Sequence, residues 1–320
     1  MLNSVNSVLD LIGNTPLVKL RSIPGGSDAE IFVKPEYLNP SGSLKDRIAL
    51  EMIRAAEAAG KLKPGYRIIE ASTGNTGIAL SFVGSCLGYK VTIYMPEGMT
   101  PERIKIMESY GAEVVQLKTE KLSSTEKSIA GSEVEIPTRQ MCLNIERSTP
   151  KTWWARQFSN PANTAAHVKT GKEILKQMDG KVHAFCASIG TGGTLLGIAK
   201  ALKERVPDVE TVAVEPASAM YSLLSGHRKV PGTSDEISGG IVADILDSGL
   251  LSGSMSVTND EAVAMSDRLV KEEGLFAGVS AGANVYSALK IAERLGKGKR
   301  VATVLPDSRD RYLTEKKYTT

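Results

Sequence analysis

One stretch of the sequence, RIIEASTGNTGIALSFVGSCLGYKVTIYM, runs from Arg67 to Met95 and decides the fold. Arg67–Ala71 and Lys90–Met95 are short runs rich in apolar and β-branched residues, so each predicts a strand, and Pro96 should end the second one. The longer pattern between them, Thr76–Leu87, predicts a helix. A strand, a helix and a second strand of these lengths are typical of a right-handed βαβ unit with parallel strands.

The same alternation continues on both sides of this stretch. Near-continuous apolar strands between helices favour parallel sheets that are covered on both faces. The further predicted strands are Glu113–Leu117, Val182–Ala187, Thr211–Val214 and Arg300–Leu305, and the further helices are Pro101–Tyr110, Thr194–Arg205, Asp260–Glu273 and Ala281–Leu295. We therefore predict an α/β protein of two doubly wound domains, residues 1–155 and 156–320, with Thr119–Lys151 as an irregular stretch near the boundary.

The composition is that of a globular chain with little net charge. Its 320 residues include 39 Lys and Arg against 36 Asp and Glu, a formal net charge of +3. This excess, without a run of like charges, predicts binding neither to nucleic acid nor to a membrane surface. The sequence also shows no apolar stretch of membrane-spanning length and no signal-peptide pattern at its start.

Cysteine and histidine are scarce and scattered. Cys86, Cys142 and Cys186 form no close pair, so neither a disulfide framework nor a zinc site is predicted, and a reduced, cytoplasmic location fits best. The three histidines also stand apart, which argues against a histidine-rich metal site and against a Ser/His/Asp triad. We expect no metal.

A lysine stands at the end of a polar turn, Asn39-Pro-Ser-Gly-Ser-Leu-Lys45-Asp-Arg47, just before a helix expected to begin near Ile48. The positive potential at a helix start favours the free amine that Schiff-base formation requires. A solvated surface lysine is the plainer interpretation of Lys45 on this segment alone.

Two other loops follow predicted strands, where ligands bind in open α/β sheets. Ser72-Thr-Gly-Asn-Thr-Gly77 offers backbone N–H groups and hydroxyls to a carboxylate or phosphate, or is simply a capped turn. Ser188-Ile-Gly-Thr-Gly-Gly-Thr194 lets the backbone approach a phosphate at a helix start. Its spacing is neither the dinucleotide fingerprint nor a P-loop, so a single phosphate is expected. A reactive lysine beside a phosphate cup indicates pyridoxal 5'-phosphate.

Eight motifs together resemble those of the cysteine synthase (O-acetylserine sulfhydrylase) family, in the family's order, from residue 12 to residue 313. The resemblance implies the architecture of fold-type II pyridoxal-phosphate enzymes, similar to the tryptophan synthase β subunit, with the cofactor between two domains and the first ~40 residues partly packed on the second. The motifs are Ile12–Leu17, Asn39–Arg47, Ser72–Leu80, Met95–Glu97, Gln157–Asn163, Gly190–Thr194, Phe276–Gly282 and Pro306–Leu313.

The resemblance also implies a role for each matching residue. Lys45 would hold the cofactor as a Schiff base and move the substrate's α-proton, and Asn75 would meet the cofactor's phenolic oxygen. Ser280 would meet the pyridine nitrogen, although it could instead cap a helix starting near Ala281. The phosphate would be held by Gly190, Thr191, Gly192, Gly193 and Thr194, and the substrate carboxylate by Ser72, Thr73, Gly74, Thr76 and Gln157.

The implied reaction is β-replacement on a serine-derived amino acid through an α-aminoacrylate, with cysteine formed from O-acetylserine and sulfide as the first expectation. Similar proteins are usually homodimers, and some bind serine acetyltransferase. Alternatives with the same cofactor are cysteine desulfhydrases and cystathionine β-synthase-like, lanthionine-forming or diaminopropionate-forming enzymes. A regulatory binding protein is a further alternative, whereas a nicotinamide dehydrogenase would need the dinucleotide fingerprint that is missing.

Three departures from the family pattern bear on the substrate. Ser72-Thr73 stands where Thr-Ser is usual, and Ser238-Gly-Gly-Ile241, preceded by Asp235 and Glu236, stands where Gly-Ile-Gly is usual. Thr119–Thr152 matches the family poorly. Phosphoserine-using relatives carry an arginine after the second of these loops, and no Lys or Arg lies between Lys229 and Arg268, so we disfavour O-phosphoserine as a substrate.

Overall fold

The computed structural model describes residues 4–24, 29–98, 101–118, 136–217, 237 and 240–314. Strands and helices alternate along most of the chain. The strands are β1 (Val18–Lys19), β2 (Glu30–Pro35), β3 (Arg67–Ala71), β4 (Lys90–Pro96), β5 (Glu113–Leu117), β6 (Thr152–Trp154), β7 (Ala184–Ser188), β8 (Glu210–Pro216), β9 (Gly253–Val257) and β10 (Arg300–Leu305). The α-helices are α1 (Lys45–Ala58), α2 (Asn75–Cys86), α3 (Pro101–Ser109), α4 (Ile136–Ser148), α5 (Pro161–Gln177), α6 (Gly193–Arg205), α7 (Gly240–Asp247), α8 (Asn259–Glu273) and α9 (Val279–Leu295).

Two sheets organise the described strands, and this confirms the predicted α/β class. One sheet has the order β1-β2-β10-β7-β8-β9 and the other has the order β5-β4-β3-β6. The strand pairs are parallel except for β1 and β2, which pair antiparallel. In a parallel sheet the carboxyl ends of all strands lie at one edge. The loop after β3 therefore lies at the same edge of the four-stranded sheet as the loops after its neighbouring strands, and the same is true of the loop after β7 in the six-stranded sheet.

The first strands of the chain belong to the sheet built mainly from the last ones. β2 pairs with β10 in parallel, with Glu30 opposite Arg300 and Pro35 opposite Leu305. The loop that follows β2 and carries Lys45 therefore starts from the six-stranded sheet, while α1 continues onto the four-stranded one. The domain boundary at residues 155 and 156 stays a prediction.

Two helices begin earlier than the sequence predicted. The prediction that the helix after Asn39–Arg47 starts near Ile48 is wrong, because α1 begins at Lys45 itself. Leu44 already has helical dihedrals and the Ser43 hydroxyl accepts a hydrogen bond from the Lys45 N–H at 3.2 Å, which starts the helix sooner. Helix α9 likewise begins at Val279 with Gly278 as its N-cap, so Ser280 lies inside the first turn and does not cap the helix.

The stretch predicted to be irregular, Thr119–Lys151, contains helix α4, so that prediction is wrong for residues 136–148. Residues 119–135 lie outside the described part of the chain, as do Asp235, Glu236, Ser238 and Gly239 of the unusual loop. The apolar stripe of α4 is narrow, with Cys142 and Leu143 as its buried apolar residues, and packing against Trp154 and its neighbours on β3 and β6 stabilises a helix that local pattern alone indicates weakly.

Each sheet has its own apolar core. Around the four-stranded sheet, Ile48 and Met52 of α1 pack with Ile78 of α2 and Ile93 of β4, all fully buried. Around the six-stranded sheet, α9 is the central packing element, and its buried face lies on β2, β7 and β10. Among the described helices, none is both long and apolar enough to cross a membrane.

Candidate active site

A cavity of about 380 Å³ lies where the loops that follow the strands meet. It is lined by most of the residues predicted to form the site, namely Lys45, Ser72, Thr73, Gly74, Asn75, Thr76, Gln157, Gly190, Thr191 and Ser280. Gly192, Gly193 and Thr194 do not line it and form the start of α6 directly behind Thr191. The wall is completed by Arg103, Phe158, Ile189, Pro216 and Tyr312, for which the sequence predicted no role.

Lys45 is half-buried and stands at the first position of α1. The turn before it is tied to the C-terminal part of the chain, because the Leu44 N–H donates to the carbonyl of Pro306 at 2.9 Å and Ser43 forms a β-bridge with Asp307. The neighbouring Asp46 accepts from the Ser41 N–H at 2.7 Å. These contacts hold the backbone of the lysine, so its side chain enters the cavity from a rigid position.

The Asp46 carboxyl is buried beside this lysine. Burial raises the pKa of Asp46 to about 6, although hydrogen bonds from Ser41 and the charge of Arg311 favour the carboxylate. Arg311 also donates to the Ser41 carbonyl. The turn is therefore held by charged hydrogen bonds on its buried side.

Asn75, at the start of α2, is held by the segment that follows β10. Its Nδ2 donates to Asp307 Oδ2 at 2.6 Å, and its Oδ1 accepts from the Arg311 guanidinium. Tyr312 donates its hydroxyl to the same Asp307 oxygen at 2.6 Å, and its burial next to Asp307 raises the Tyr312 pKa well above the usual value. The Gly278 N–H donates to the Asp307 carbonyl at 3.0 Å, so one segment contacts the turn before Lys45, the Asn75 side chain and the start of the helix that carries Ser280.

The contacts that Asp307 and Arg311 make with Asn75 were not predicted from the sequence. The motif Pro306–Leu313 resembles the family, but it predicts no role for Asp307 or Arg311, because their partner Asn75 is more than 200 positions away in the chain. One sequence signal points to these residues: Asp307 and Arg311 belong to a family motif that directly follows a predicted strand, where ligand sites of α/β sheets lie.

The loop Ser72–Gly77 is built around its first serine and Gln157. The Ser72 hydroxyl accepts from the Gly77 N–H at 3.0 Å and from the Gly74 N–H at 3.3 Å. Gln157 Oε1 accepts from the Thr76 hydroxyl at 2.6 Å, and Gln157 Nε2 donates to the Ala71 carbonyl at 2.9 Å. One amide hydrogen of Gln157 thus holds the loop, and the amide group has a second that can reach a carboxylate.

Arg103 brings a cation to the cavity wall. Its Nη1 lies 3.4 Å from the Thr73 carbonyl oxygen, and its guanidinium carbon lies 5.2 Å from the centre of the Tyr312 ring. We disfavour O-phosphoserine because no Lys or Arg lies between Lys229 and Arg268, but Arg103 belongs to a different segment and lines the same cavity as Lys45. The lack of a cation near the substrate is therefore established only for residues 230–267.

The turn Gly190–Thr194 has the shape that a phosphate needs. Gly192 adopts a left-handed conformation with φ +88°, which glycine allows at little cost. At Gly193 a Cβ would come within 2.0 Å of Asn163 Oδ1, so the backbone packs too closely for any side chain. Helix α6 begins at this turn, and the N–H groups of a helix start favour the binding of anions.

Ser280 is exposed to this cavity and to an adjoining one of about 340 Å³ that is also lined by Gly190, Glu215 and Tyr312. The residues that line the two cavities include an amine, a glycine turn at a helix start, an amide and a hydroxyl. This set of groups fits pyridoxal 5'-phosphate, which needs an amine for its aldehyde and an anion site for its phosphate. Among the described residues, no cluster of three metal-ligating side chains occurs.

Comparisons with known proteins agree with this chemistry. The profile of the family described as pyridoxal-phosphate dependent enzyme matches residues 8–307. The chain is 42% identical over 316 residues to cysteine synthase of Staphylococcus aureus, covering 98% of this chain and 97% of that protein. Among solved structures it is similar to cysteine synthase of Entamoeba histolytica, with a TM-score of 0.85 and 35% identity over 99% of this chain and 91% of that one. It is also similar to a hydrogen sulfide-producing enzyme of Fusobacterium nucleatum, with a TM-score of 0.82 and 37% identity over 98% of this chain and 99% of that one.

Proposed function

This chain belongs to the pyridoxal-phosphate-dependent enzymes, within the cysteine synthase family, and on that premise we propose that it makes cysteine from O-acetylserine and sulfide by β-replacement. The observation that supports the proposal is a cavity lined by Lys45, by the loop residues 72–76, and by Gly190 and Thr191 of the glycine turn. Similarity to cysteine synthases over nearly the whole chain supports the choice of donor and nucleophile.

When bound, pyridoxal 5'-phosphate withdraws electrons from the α-carbon of an amino acid, which makes its proton acidic and lets a β-substituent leave. Lys45 is the residue that holds the aldehyde and, once displaced by the substrate amine, takes the α-proton. Gly190, Thr191, Gly192, Gly193 and Thr194 hold the phosphate. Asn75, oriented by Asp307 and Arg311, meets the phenolic oxygen.

The Ser280 hydroxyl meets the pyridine nitrogen in this proposal. A hydroxyl is too weak an acid to protonate that nitrogen fully, so the electron withdrawal stays mild. Mild withdrawal suits elimination of a good leaving group better than reactions that need a long-lived carbanion.

The substrate carboxylate lies on the loop that begins with Ser72. Thr73, Gly74 and Thr76 contribute backbone N–H groups or hydroxyls, and Gln157 contributes its second amide hydrogen. Closure of this loop over the carboxylate excludes water from the reacting carbon and protects a reactive product of elimination from hydrolysis.

Replacement of Gln157 by glutamate is expected to raise KM for the amino acid donor by about 10- to 100-fold with little change in kcat. The new carboxylate still accepts from Thr76, but it places a negative charge next to the substrate carboxylate and has no N–H to give. Steady-state kinetics with the donor varied at saturating sulfide measure the effect. Gln140→Glu makes the same chemical change on the exposed face of α4 and should leave KM unchanged, and an unchanged KM in Gln157→Glu would remove Gln157 from the carboxylate site.

The reaction itself is tested by product analysis of the purified holoenzyme. O-acetylserine with sulfide should yield cysteine, and the visible absorption of the protein should change on adding O-acetylserine alone. If this pair gives no cysteine while another donor and acceptor turn over, the proposed donor or nucleophile is wrong.

A second candidate is release of sulfide from cysteine, with replacement by a thiol or amine. This candidate is supported by the 37% identity between this chain and the hydrogen sulfide-producing enzyme of Fusobacterium nucleatum. Incubation with cysteine alone and with cysteine plus a second thiol distinguishes the two candidates, because only the second predicts sulfide release faster than cysteine formation from O-acetylserine.

We further propose that the enzyme is a cytoplasmic homodimer whose cavity accepts the C-terminal tail of a serine acetyltransferase. Free thiols at Cys86, Cys142 and Cys186 support a reducing compartment. Sedimentation of the purified protein measures the oligomeric state. Competition between an acetyltransferase tail peptide and O-acetylserine tests the partner, and a peptide that leaves KM unchanged would exclude it.

A further inference from the structure

Two buried side chains on one face of α5 contact the two threonines of the glycine turn. Asn163 and His167 lie four residues apart, about one helical turn, and both are almost completely inaccessible to solvent. Asn163 is bonded to Thr191, and His167 to Thr194. Neither followed from the sequence as a functional residue, although Asn163 ends the recognised motif Gln157–Asn163.

The orientation of the Asn163 amide is determined by its neighbours. Its Nδ2 lies 2.7 Å from the Gln157 backbone oxygen and 3.0 Å from Thr191 Oγ1. A carbonyl oxygen only accepts, so the NH2 side of the amide must face it, and a flipped amide would place two acceptor oxygens against each other. Both amide hydrogens are therefore donated, one to the carbonyl and one to the Thr191 hydroxyl.

This arrangement fixes the direction of the Thr191 proton. The Thr191 oxygen accepts from Asn163 and also lies 3.4 Å from the Gly193 nitrogen, a second donor. A hydroxyl has one proton to give, and both of these neighbours are donors. Since Thr191 lines the cavity, its proton points into the cavity where the phosphate is proposed to lie.

The hydrogen bonds of His167, one helical turn after Asn163, depend on which of its ring nitrogens carries the proton. Its Nε2 lies 3.1 Å from Thr194 Oγ1 and its Nδ1 lies 3.3 Å from Thr170 Oγ1. Complete burial, together with the charges of Lys45 and Arg47, lowers the pKa of His167 far below its usual value, so the ring is neutral and has one proton. The chain of hydroxyl, ring and hydroxyl then has two possible directions. In one the ring donates to Thr194, and in the other Thr194 donates to the ring.

We propose that Asn163 and His167 are positioning residues that turn the hydroxyl protons of Thr191 and Thr194 toward the cofactor phosphate, with the His167 proton on Nε2. A phosphate dianion only accepts hydrogen bonds, so it favours the direction in which Thr170 donates to Nδ1, Nε2 donates to Thr194, and Thr194 donates to the phosphate. The proposal rests on the proposed function, in that it takes Gly190–Thr194 as the phosphate site.

The same residues connect the two ligand loops. Thr76 donates to Gln157, and the backbone carbonyl of Gln157 accepts from Asn163, which donates to Thr191. One continuous chain of hydrogen bonds thus links the loop for the substrate carboxylate with the turn for the phosphate. Loss of Asn163 is expected to loosen the phosphate end of this chain first.

The test compares two ligands of the apoprotein, pyridoxal 5'-phosphate and pyridoxal, which lacks the phosphate. Asn163→Leu and His167→Leu should each weaken pyridoxal 5'-phosphate by about tenfold or more and leave the affinity for pyridoxal within about twofold. His167→Gln keeps an N–H donor near the position of Nε2 and should recover most of the loss. Ile174→Val, a change at a buried apolar residue of the same helix, should leave the ratio of the two affinities unchanged.

Thr191→Val and Thr194→Val separate failure of this inference from failure of the proposed function. If these two variants weaken pyridoxal 5'-phosphate selectively while Asn163→Leu and His167→Leu weaken both ligands equally or neither, the phosphate site stands and the positioning role is wrong. If Thr191→Val and Thr194→Val show no selectivity either, the turn is not the phosphate site, and both proposals fall.

A measurement on the unmodified holoenzyme keeps the proposal testable if the variants fail to fold. The ¹⁵N chemical shifts of labelled histidine report which ring nitrogen carries the proton, and the spectra of His183→Gln and His227→Gln, which leave α5 unchanged, assign the remaining signal to His167. Protonated Nε2 is expected for His167. Protonated Nδ1 would mean that Thr194 donates to the ring and would overturn the assigned direction.

Discussion

Replacement of Lys45 by alanine should remove the covalently held cofactor and lower turnover with O-acetylserine and sulfide by at least about 10²–10⁴-fold, the contribution of a positioned acid–base group alone. In the proposed mechanism the amine at this position is both the nucleophile that holds the aldehyde and the base that takes the α-proton, so both functions should disappear together. The rest of the cavity is retained, and the pyridoxal phosphate that remains is bound only by hydrogen bonds and packing. Visible absorption of the purified variant and single-turnover kinetics measure the two losses.

Attachment is located independently of activity. Borohydride reduction of the unmodified holoenzyme, followed by peptide mass analysis, should place the cofactor's mass on the peptide that contains Lys45. Lys169→Ala, at an exposed lysine of α5 paired with Glu51, is the matched control and should behave as the parent protein does. Undiminished turnover of a still-yellow Lys45→Ala protein would refute the assignment of this lysine.

Replacement of Arg47 by methionine is expected to lower the free energy of unfolding by about 3–5 kcal/mol, the cost of removing one partner from a buried ion pair. The Arg47 guanidinium bonds Glu36 at 2.6 Å and Glu173 at 2.7 Å, and Lys34 bonds Glu173 at 2.9 Å. Glu36 and Lys34 are fully buried. Methionine fills the space of the arginine's aliphatic part, but it leaves the buried Glu36 carboxylate without the Arg47 charge and the partly exposed Glu173 carboxylate with only Lys34 of these two cations.

Equilibrium urea unfolding of the holoenzyme measures this loss, and Arg54→Met supplies the comparison. Arg54 lies on the same helix and pairs with Glu57 at 2.9 Å, but its side chain is 56% exposed. An exposed pair contributes less than about 1 kcal/mol, so its removal should change little. Equal effects of the two substitutions would show that the buried network does not stabilise the α1 start.

The same network predicts how stability depends on acid pH. Burial alone would raise the pKa of Glu173, but hydrogen bonds and charge from Arg47 and Lys34 outweigh it and hold the pKa at about 2, below the ordinary value of 4.5. Because the folded pKa is the lower one, the stabilisation is complete above about pH 4.5 and is lost as the pH falls toward 2. In Arg47→Met this acid-side loss should shrink, and urea midpoints between pH 5 and pH 3 measure it.

The network of Arg47, Glu36, Glu173 and Lys34 also holds the helical turn that carries Lys45. Arg47 and Lys45 lie in the same first turn of α1, and Arg47 connects that turn to β2 through Glu36 and to α5 through Glu173. The first turn of α1, which begins with Lys45, is thus anchored to the residue that follows β2 on one side and, on the other, to α5, which also contacts Thr191 and Thr194.

Much of the fold follows from local sequence. The strands Arg67–Ala71, Glu113–Leu117 and Arg300–Leu305 were predicted with the bounds that the structure has, because apolar runs between Gly, Pro and polar turns leave little choice of conformation. Helix starts were less predictable, as at Lys45 and Val279, because hydrogen bonds from residues outside the helical pattern decide where the first turn forms.

The sequence alone determined the α/β class and the three polar loops, since each depends on periodicity or spacing within about ten residues. Its resemblance to the cysteine synthase family implied which residues would hold pyridoxal phosphate. Only the tertiary structure decided that Asp307 and Arg311 hold Asn75, that Arg103 joins the cavity wall, and that Asn163 and His167 lie behind the glycine turn. Those contacts join positions far apart in the chain, and their partners are chosen by how helices and strands pack, which a local pattern of residues does not encode by itself.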